Sequence, residues 1–140
     1  MIRAGIAAIG LGGGALVALG AATRPATLTE VKAGMWELSG LPGASAPARV
    51  CIADVDQLTR YEHRAKNCTG KAISDTGRST VIEYSCGSAA GFGRTKIDMI
   101  TPRNLKINTQ GISDSLPFNY TLNAHRIGEC VKETAAAIRH

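Results

Sequence analysis

The feature that most constrains this chain is a train of alternating residues in its second half. Thr80, Ile82, Tyr84 and Cys86 fall on one side of a run rich in β-branched and aromatic residues. Thr95, Ile97, Met99 and Thr101 alternate with Arg94, Lys96 and Asp98. Leu105, Ile107 and Thr109 alternate with Asn104, Lys106, Asn108 and Gln110. Phe118, Tyr120, Leu122 and Ala124 alternate with Asn119, Thr121 and Asn123. Side chains along a strand point to opposite faces, so each run predicts a strand with one apolar and one wet face. Residues 87–93, Pro102-Arg103 and residues 111–117 separate the runs and predict turns. Strands joined by short turns pair antiparallel, so the expectation is a meander.

The first half is less regular. Residues 35–38 predict a short strand with Trp36 and Leu38 on one face and Met35 and Glu37 on the other. Trp36 is the only tryptophan, and core packing is its expected role. Residues 40–47 carry two glycines and two prolines and predict a loop. Asp54 is a candidate N-cap with Gln57 as its capping-box partner. Val55, Leu58, Tyr61 and Ala65 recur at helical spacing, and Arg64 and Lys66 sit where a helix dipole favours cations. Residues 54–65 are therefore expected to form one short amphipathic helix.

Composition adds the compartment. Residues 1–22 hold 15 of the 62 apolar residues, begin with Met1-Ile2-Arg3 and end in Gly20-Ala21-Ala22. A short basic start, an apolar run and a small-residue end predict a signal peptide cut after Ala22. The alternative is an uncleaved anchor, and only then is a membrane a partner. Residues 23–33 are polar, aperiodic and contain Pro25, and are expected to be a linker. Residues 34–131 form the expected domain, and residues 132–140 an Ala-rich tail. The whole chain has 140 residues and net charge +5, falling to +4 without Arg3. That excludes a multidomain enzyme and a strongly basic nucleic-acid binder. The periplasm or the extracellular space is the expected location.

Export makes disulfides the expected state of Cys51, Cys68, Cys86 and Cys130. Of the three pairings, Cys51–Cys68 with Cys86–Cys130 is preferred, because each ties neighbouring elements without crossing. On the chain-entropy account the two loops are worth about 3 and about 4 kcal/mol. The fold expected from all of this is α+β: an antiparallel sheet of about five strands, flat or curled, braced by one short helix and two disulfides.

Chemical motifs are sparse. The sequence has no C-x-x-C, and neither His63 with Cys68 nor His125 with Cys130 belongs to a zinc-ligand pattern. The glycine-rich stretch from Gly87 to Arg94 lacks the Gly-Lys-Ser/Thr ending of a phosphate loop and is read as a hairpin turn. No residue is assigned a catalytic role, and no cofactor or metal is expected. One surface stands out. The wet face would gather Arg94, Lys96, Asn104, Lys106, Asn108, Gln110, Asn119, Thr121, Asn123 and His125. Cations and carboxamides in rows can hydrogen-bond an envelope protein, a glycan or a small ligand, although no aromatic platform is apparent among them. The apolar face, with Ile97, Met99, Leu105, Ile107, Phe118, Tyr120 and Leu122, offers either an apolar-ligand site or a core covered by the helix and Trp36.

Gly34-Met35-Trp36-Glu37, Cys51 before the helix, Cys68 after it, Cys86 at a strand end and Gly128-Glu129-Cys130 resemble a family of small exported bacterial proteins. That family is a cysteine-containing domain of unknown function with a G-x-W-E entry motif. The stretches from Thr101 to Ile112 and from Pro117 to Tyr120 look like its sphingomonad-type variant. The resemblance spans residues 34–130. It implies a periplasmic, disulfide-containing, strand-rich domain and no activity. Tyr84-Ser85-Cys86 also resembles the Y-x-C start of small periplasmic lysozyme inhibitors, without their S-G-x-x-Y motif. The functional expectation is thus a non-enzymatic envelope protein that binds through its sheet. The alternatives are a lysozyme-type inhibitor and a binder of a small apolar ligand.

Overall fold

The computed structural model describes residues 24–131. The expected signal peptide, residues 1–22, and the expected tail, residues 132–140, lie outside the described residues.

The described residues form a seven-stranded antiparallel sheet with one short α-helix and two disulfides, an α+β arrangement. The strands are β1 (Gly34–Ser39), β2 (Ala48–Ile52), β3 (Thr69–Asp75), β4 (Ser79–Ser85), β5 (Gly91–Thr101), β6 (Asn104–Ser113) and β7 (Leu116–Gly128). Their order across the sheet is β2-β1-β7-β6-β5-β4-β3. β3 to β7 are the expected meander; β7 then returns beside β1 and joins the first hairpin to it.

Seven strands rather than about five reflects two edge strands that lack an alternating pattern. All seven residues of β3 are exposed, so no face selects apolar side chains. β2 buries only Ile52 fully. The expected turns also shrink. β5 begins at Gly91, and β6 runs through Gly111 to Ser113. The β6–β7 turn is made by Asp114 and Ser115 alone, with φ of 47° and 69°. Positive φ at both central residues is the two-residue hairpin geometry that matches strand twist.

One face of the sheet is the core. Trp36, Leu38, Ile97, Leu105, Ile107, Leu122 and Ala124 are buried on it, and Tyr120 nearly so. The connection from β2 to β3 crosses this face, because those strands lie at opposite edges. It carries α1 (Asp56–Thr59) and a 3-10 turn, Tyr61–His63. Val55, Leu58 and Tyr61 are buried as the helical spacing predicts, whereas Ala65, the fourth position of that spacing, is exposed. The helix is nevertheless not continuous over residues 54–65. Arg60 leaves helical geometry at φ −145° and ψ 47°. Its guanidinium donates to the carbonyls of His63, Arg64 and Lys66, so the chain curls around one side chain in place of a helical ladder. The helix starts later than expected, with Val55 rather than Asp54 at the N-cap and no side-chain cap; Asp54 accepts from the Asp56 N–H at 2.9 Å, and Gln57 accepts from the Ala53 and Asp54 N–H groups.

The segment read as a linker belongs to the core. Ala26–Leu28 forms a 3-10 turn, and Thr27, Leu28 and Val31 are buried. Only two large apolar residues of this segment enter the core, and so few give no period to read.

The disulfides pair as Cys51–Cys130 and Cys68–Cys86, which corrects the preferred pairing. Strand register is the reason. Met35 of β1 sits opposite both Cys51 and Gly128, so β2 and the end of β7 flank the same point of β1. Thr69 pairs with Ser85, so Cys68 and Cys86 meet at the open end of the β3–β4 hairpin.

Candidate functional site

The register sorts the outer face into rungs. Lys71, Glu83, Arg94, Gln110 and Asn119 lie side by side across β3 to β7. The next rung holds Lys96, Asn108 and Thr121, and the one after it Asp98, Lys106 and Asn123. Asn104, His125, Glu37 and Arg49 form the far rung. Every residue expected on the wet face is therefore on it. All are exposed except Asn104, which is half-buried.

The rungs are partly knitted together. Asn108 donates to Thr121 at 2.9 Å, and Ser79 donates to Asp98 at 2.8 Å. Arg94 faces Glu83 at 3.8 Å and Lys96 faces Asp98 at 3.8 Å, both solvent-exposed pairs of small energetic weight. Lys71 and Lys106 have no carboxylate partner among the described residues. The far rung is closed on itself: His125 Nδ1 meets Asn104 Oδ1 at 2.7 Å, and Arg49 meets Glu37 at 3.6 Å.

At the opposite end the face carries an open groove of about 820 Å³. Its walls are Thr69, Lys71, Glu83, Ser85, Phe92, Arg94 and Gln110, and Gly70, Gly93 and Gly111 contribute backbone. Of the expected face residues, only Arg94 and Gln110 reach this groove. Phe92 is 56% exposed and stands in the rung Ser85–Phe92–Ile112–Pro117. The face therefore does have an aromatic residue. Its two glycine neighbours carry the usual signature of a turn, which is why the expected face lacks it. Phe92 is nonetheless in phase with Arg94, Lys96 and Asp98, and that phase was the available signal. Thr69 and Lys71 belong to β3, whose uniform exposure leaves no pattern; Glu83 and Ser85 lie on β4, where the alternation with Ile82 and Tyr84 marks them as wet-face residues.

The glycines under this end have a packing cause. His63 is buried on the core side. Its Nε2 lies 3.0 Å from the Ala90 carbonyl and 3.1 Å from that of Ile112. Carbonyls only accept, so Nε2 carries the proton and Nδ1 accepts from the Tyr84 hydroxyl at 2.9 Å. Gly91 has φ +108°, and a Cβ there would stand 1.9 Å from the Ile112 carbonyl oxygen. A Cβ on Gly93 would stand 2.3 Å from the Tyr84 hydroxyl. The glycine-rich stretch thus lets strands and rings approach closely; its turn is confined to the residues between Cys86 and Gly91.

Burial pushes the Tyr84 hydroxyl up to about 12, with the Glu62 charge adding to the rise and a Thr109 hydrogen bond opposing it. Burial raises Tyr120 as well, reinforced by the hydrogen bond it donates to Glu62 at 2.7 Å. These groups are neutral members of the core side. His63 and His125 lie on opposite faces of the sheet.

No protein-family model, curated protein or solved structure matches this chain.

Proposed function

We propose that this protein is an exported, non-enzymatic binding module of the bacterial envelope that engages its partner through the outer face of the sheet. The observation that carries this reading is the ordered array on that face, with cations and carboxamides of β5 to β7 in register and a groove at one end. The two disulfides fit an oxidising, extracytoplasmic compartment. Periplasmic residence, a signal peptide and kinship with the G-x-W-E family belong to the same proposal. The apolar-ligand alternative is less favoured, because Leu28, Val31, Val55, Leu58 and Tyr61 of this chain already fill the core face. Lysozyme-type inhibition remains the second partner class and is tested by titrating lysozyme turnover with the protein.

The test of the main reading is capture. Asn108 and Asn123 lie on neighbouring rungs and are exposed, so changing both to Ala leaves the core untouched. In-cell crosslinking of the mature protein should recover a partner that the Asn108→Ala/Asn123→Ala variant recovers less well. Equal recovery by variant and parent would reject the outer face as the binding surface.

A further inference from the structure

We propose that the groove at the β3–β6 end binds an acidic saccharide, with a sugar ring stacked on Phe92 and its carboxylate held by Arg94 and Lys71. The inference rests on the outer face being the binding surface, and names what that surface takes.

Three kinds of group meet in the groove. Phe92 presents an exposed ring on the same face as Arg94, two residues further along β5 and so about 7 Å away. Gln110 both donates and accepts, and Ser85 adds a hydroxyl. Lys71 and Arg94 flank Glu83 in one rung, leaving one cation in excess. Lys96 and Lys106, facing Asp98, repeat that excess on the following rungs. The volume of about 820 Å³ is within the roughly 300–1,000 Å³ of small-ligand sites.

Ligand classes can be separated by what each leaves unpaired. An apolar ligand would strip water from Lys71, Glu83 and Arg94 without replacing their hydrogen bonds, which is costly. A bare anion would use the cations and leave Phe92 and Gln110 idle. A neutral sugar would use the ring and the amide but leave the excess cation unmatched. A saccharide bearing a carboxylate uses all three: C–H faces on the ring, hydroxyls on Gln110 and Glu83, the acid on Arg94 and Lys71.

The test uses the mature protein and a panel of soluble uronate, sialate and lactyl-ether oligosaccharides, each beside its neutral counterpart. Calorimetry or NMR titration should find binding to at least one acidic member, weaker by roughly tenfold or more for its neutral counterpart. Phe92→Ala and Arg94→Gln should each weaken it by a similar factor, while Glu30→Gln, an exposed change in the segment before β1 and off the outer face, should leave it unchanged. Both groove residues are exposed, and the emission of buried Trp36 reports whether the variants remain folded. If Phe92→Ala alone unfolds, Phe92→Leu keeps the bulk and removes the stacking face. Failure of the whole panel overturns the saccharide, and the crosslinking result above then decides separately whether the outer face survives. Binding lost in Arg94→Gln but kept in Phe92→Ala would mean an anion site only, which also overturns the proposal.

Discussion

Gly93 shows how much of this sequence is packing rather than chemistry. Its α-hydrogen faces the Tyr84 ring, whose hydroxyl reaches His63. Within the Gly87-to-Arg94 stretch, Gly93 answers to the Tyr84 ring and Gly91 to the Ile112 carbonyl and its own φ of +108°. Adding one methyl makes the test. Gly93→Ala should destabilise the fold by about 2–3 kcal/mol, the upper range for overpacking, since the clash is with a ring held from both ends. Shortening that ring removes the clash. In a Tyr84→Leu background the same Gly93→Ala change should cost under about 1 kcal/mol. Urea unfolding followed by Trp36 fluorescence measures both legs, and simple additivity would mean that the cost arises elsewhere.

At the scale of elements, the disulfides mark where sequence reading stops. Side-by-side and nested pairings both avoid crossing, so order along the chain does not choose between them. Register does: β1 between β2 and β7 brings Cys51 to Cys130, and the β3–β4 hairpin brings Cys68 to Cys86. Non-reducing peptide mapping should recover those two links and neither Cys51–Cys68 nor Cys86–Cys130. The loops span 79 and 18 residues, worth about 4.5 and about 3 kcal/mol on the chain-entropy account. Paired Cys→Ser variants should therefore lose more stability at Cys51/Cys130 than at Cys68/Cys86; the reverse order would show that native packing, not loop closure, sets the cost. The strands were legible in proportion to how differently their two faces are buried. β5, β6 and β7 alternate because one face is core, and their wet-face residues were placed on the correct side. β3 has no buried face and left no trace, which hid Lys71 from the groove. Phe92 was hidden by its two glycine neighbours, whose usual meaning is a turn. Val55, Leu58 and Tyr61 mark a buried face in the sequence, but Ala65 is exposed because the helix breaks at Arg60, and that break depends on carbonyls that only the folded chain brings to one guanidinium.

At the scale of the whole described chain, the core face of the sheet packs against the segments that connect its strands, and the Asp75 carboxylate ties edge strand β3 to the segment before β1. Asp75, at the end of edge strand β3, accepts from the Thr27 hydroxyl at 2.7 Å, from the N–H groups of Ala26 and Thr27, and from the Gly77 N–H. It thereby fastens the segment that delivers Leu28 and Val31 into the core. The Thr27 hydrogen bond foremost, joined by the backbone N–H groups, holds the Asp75 carboxyl below its ordinary 3.8 against the opposing effect of burial. A depressed folded-state value means that the charged form is bound more tightly in the folded chain. Its stabilisation is complete above 3.8 and is lost as the pH falls through the lower, folded-state value. Asp75→Asn keeps an acceptor but neither the charge nor the titration. At neutral pH the parent should melt above Asp75→Asn, and the gap should close on acidification below 3.8. Thermal melts followed through Trp36 give the comparison directly, since Trp36 is fully buried and its indole N–H is held by the Lys32 carbonyl, next to the docked segment. A gap that stays constant down to the acid limit would show that the tie is steric and owes nothing to the charge of Asp75.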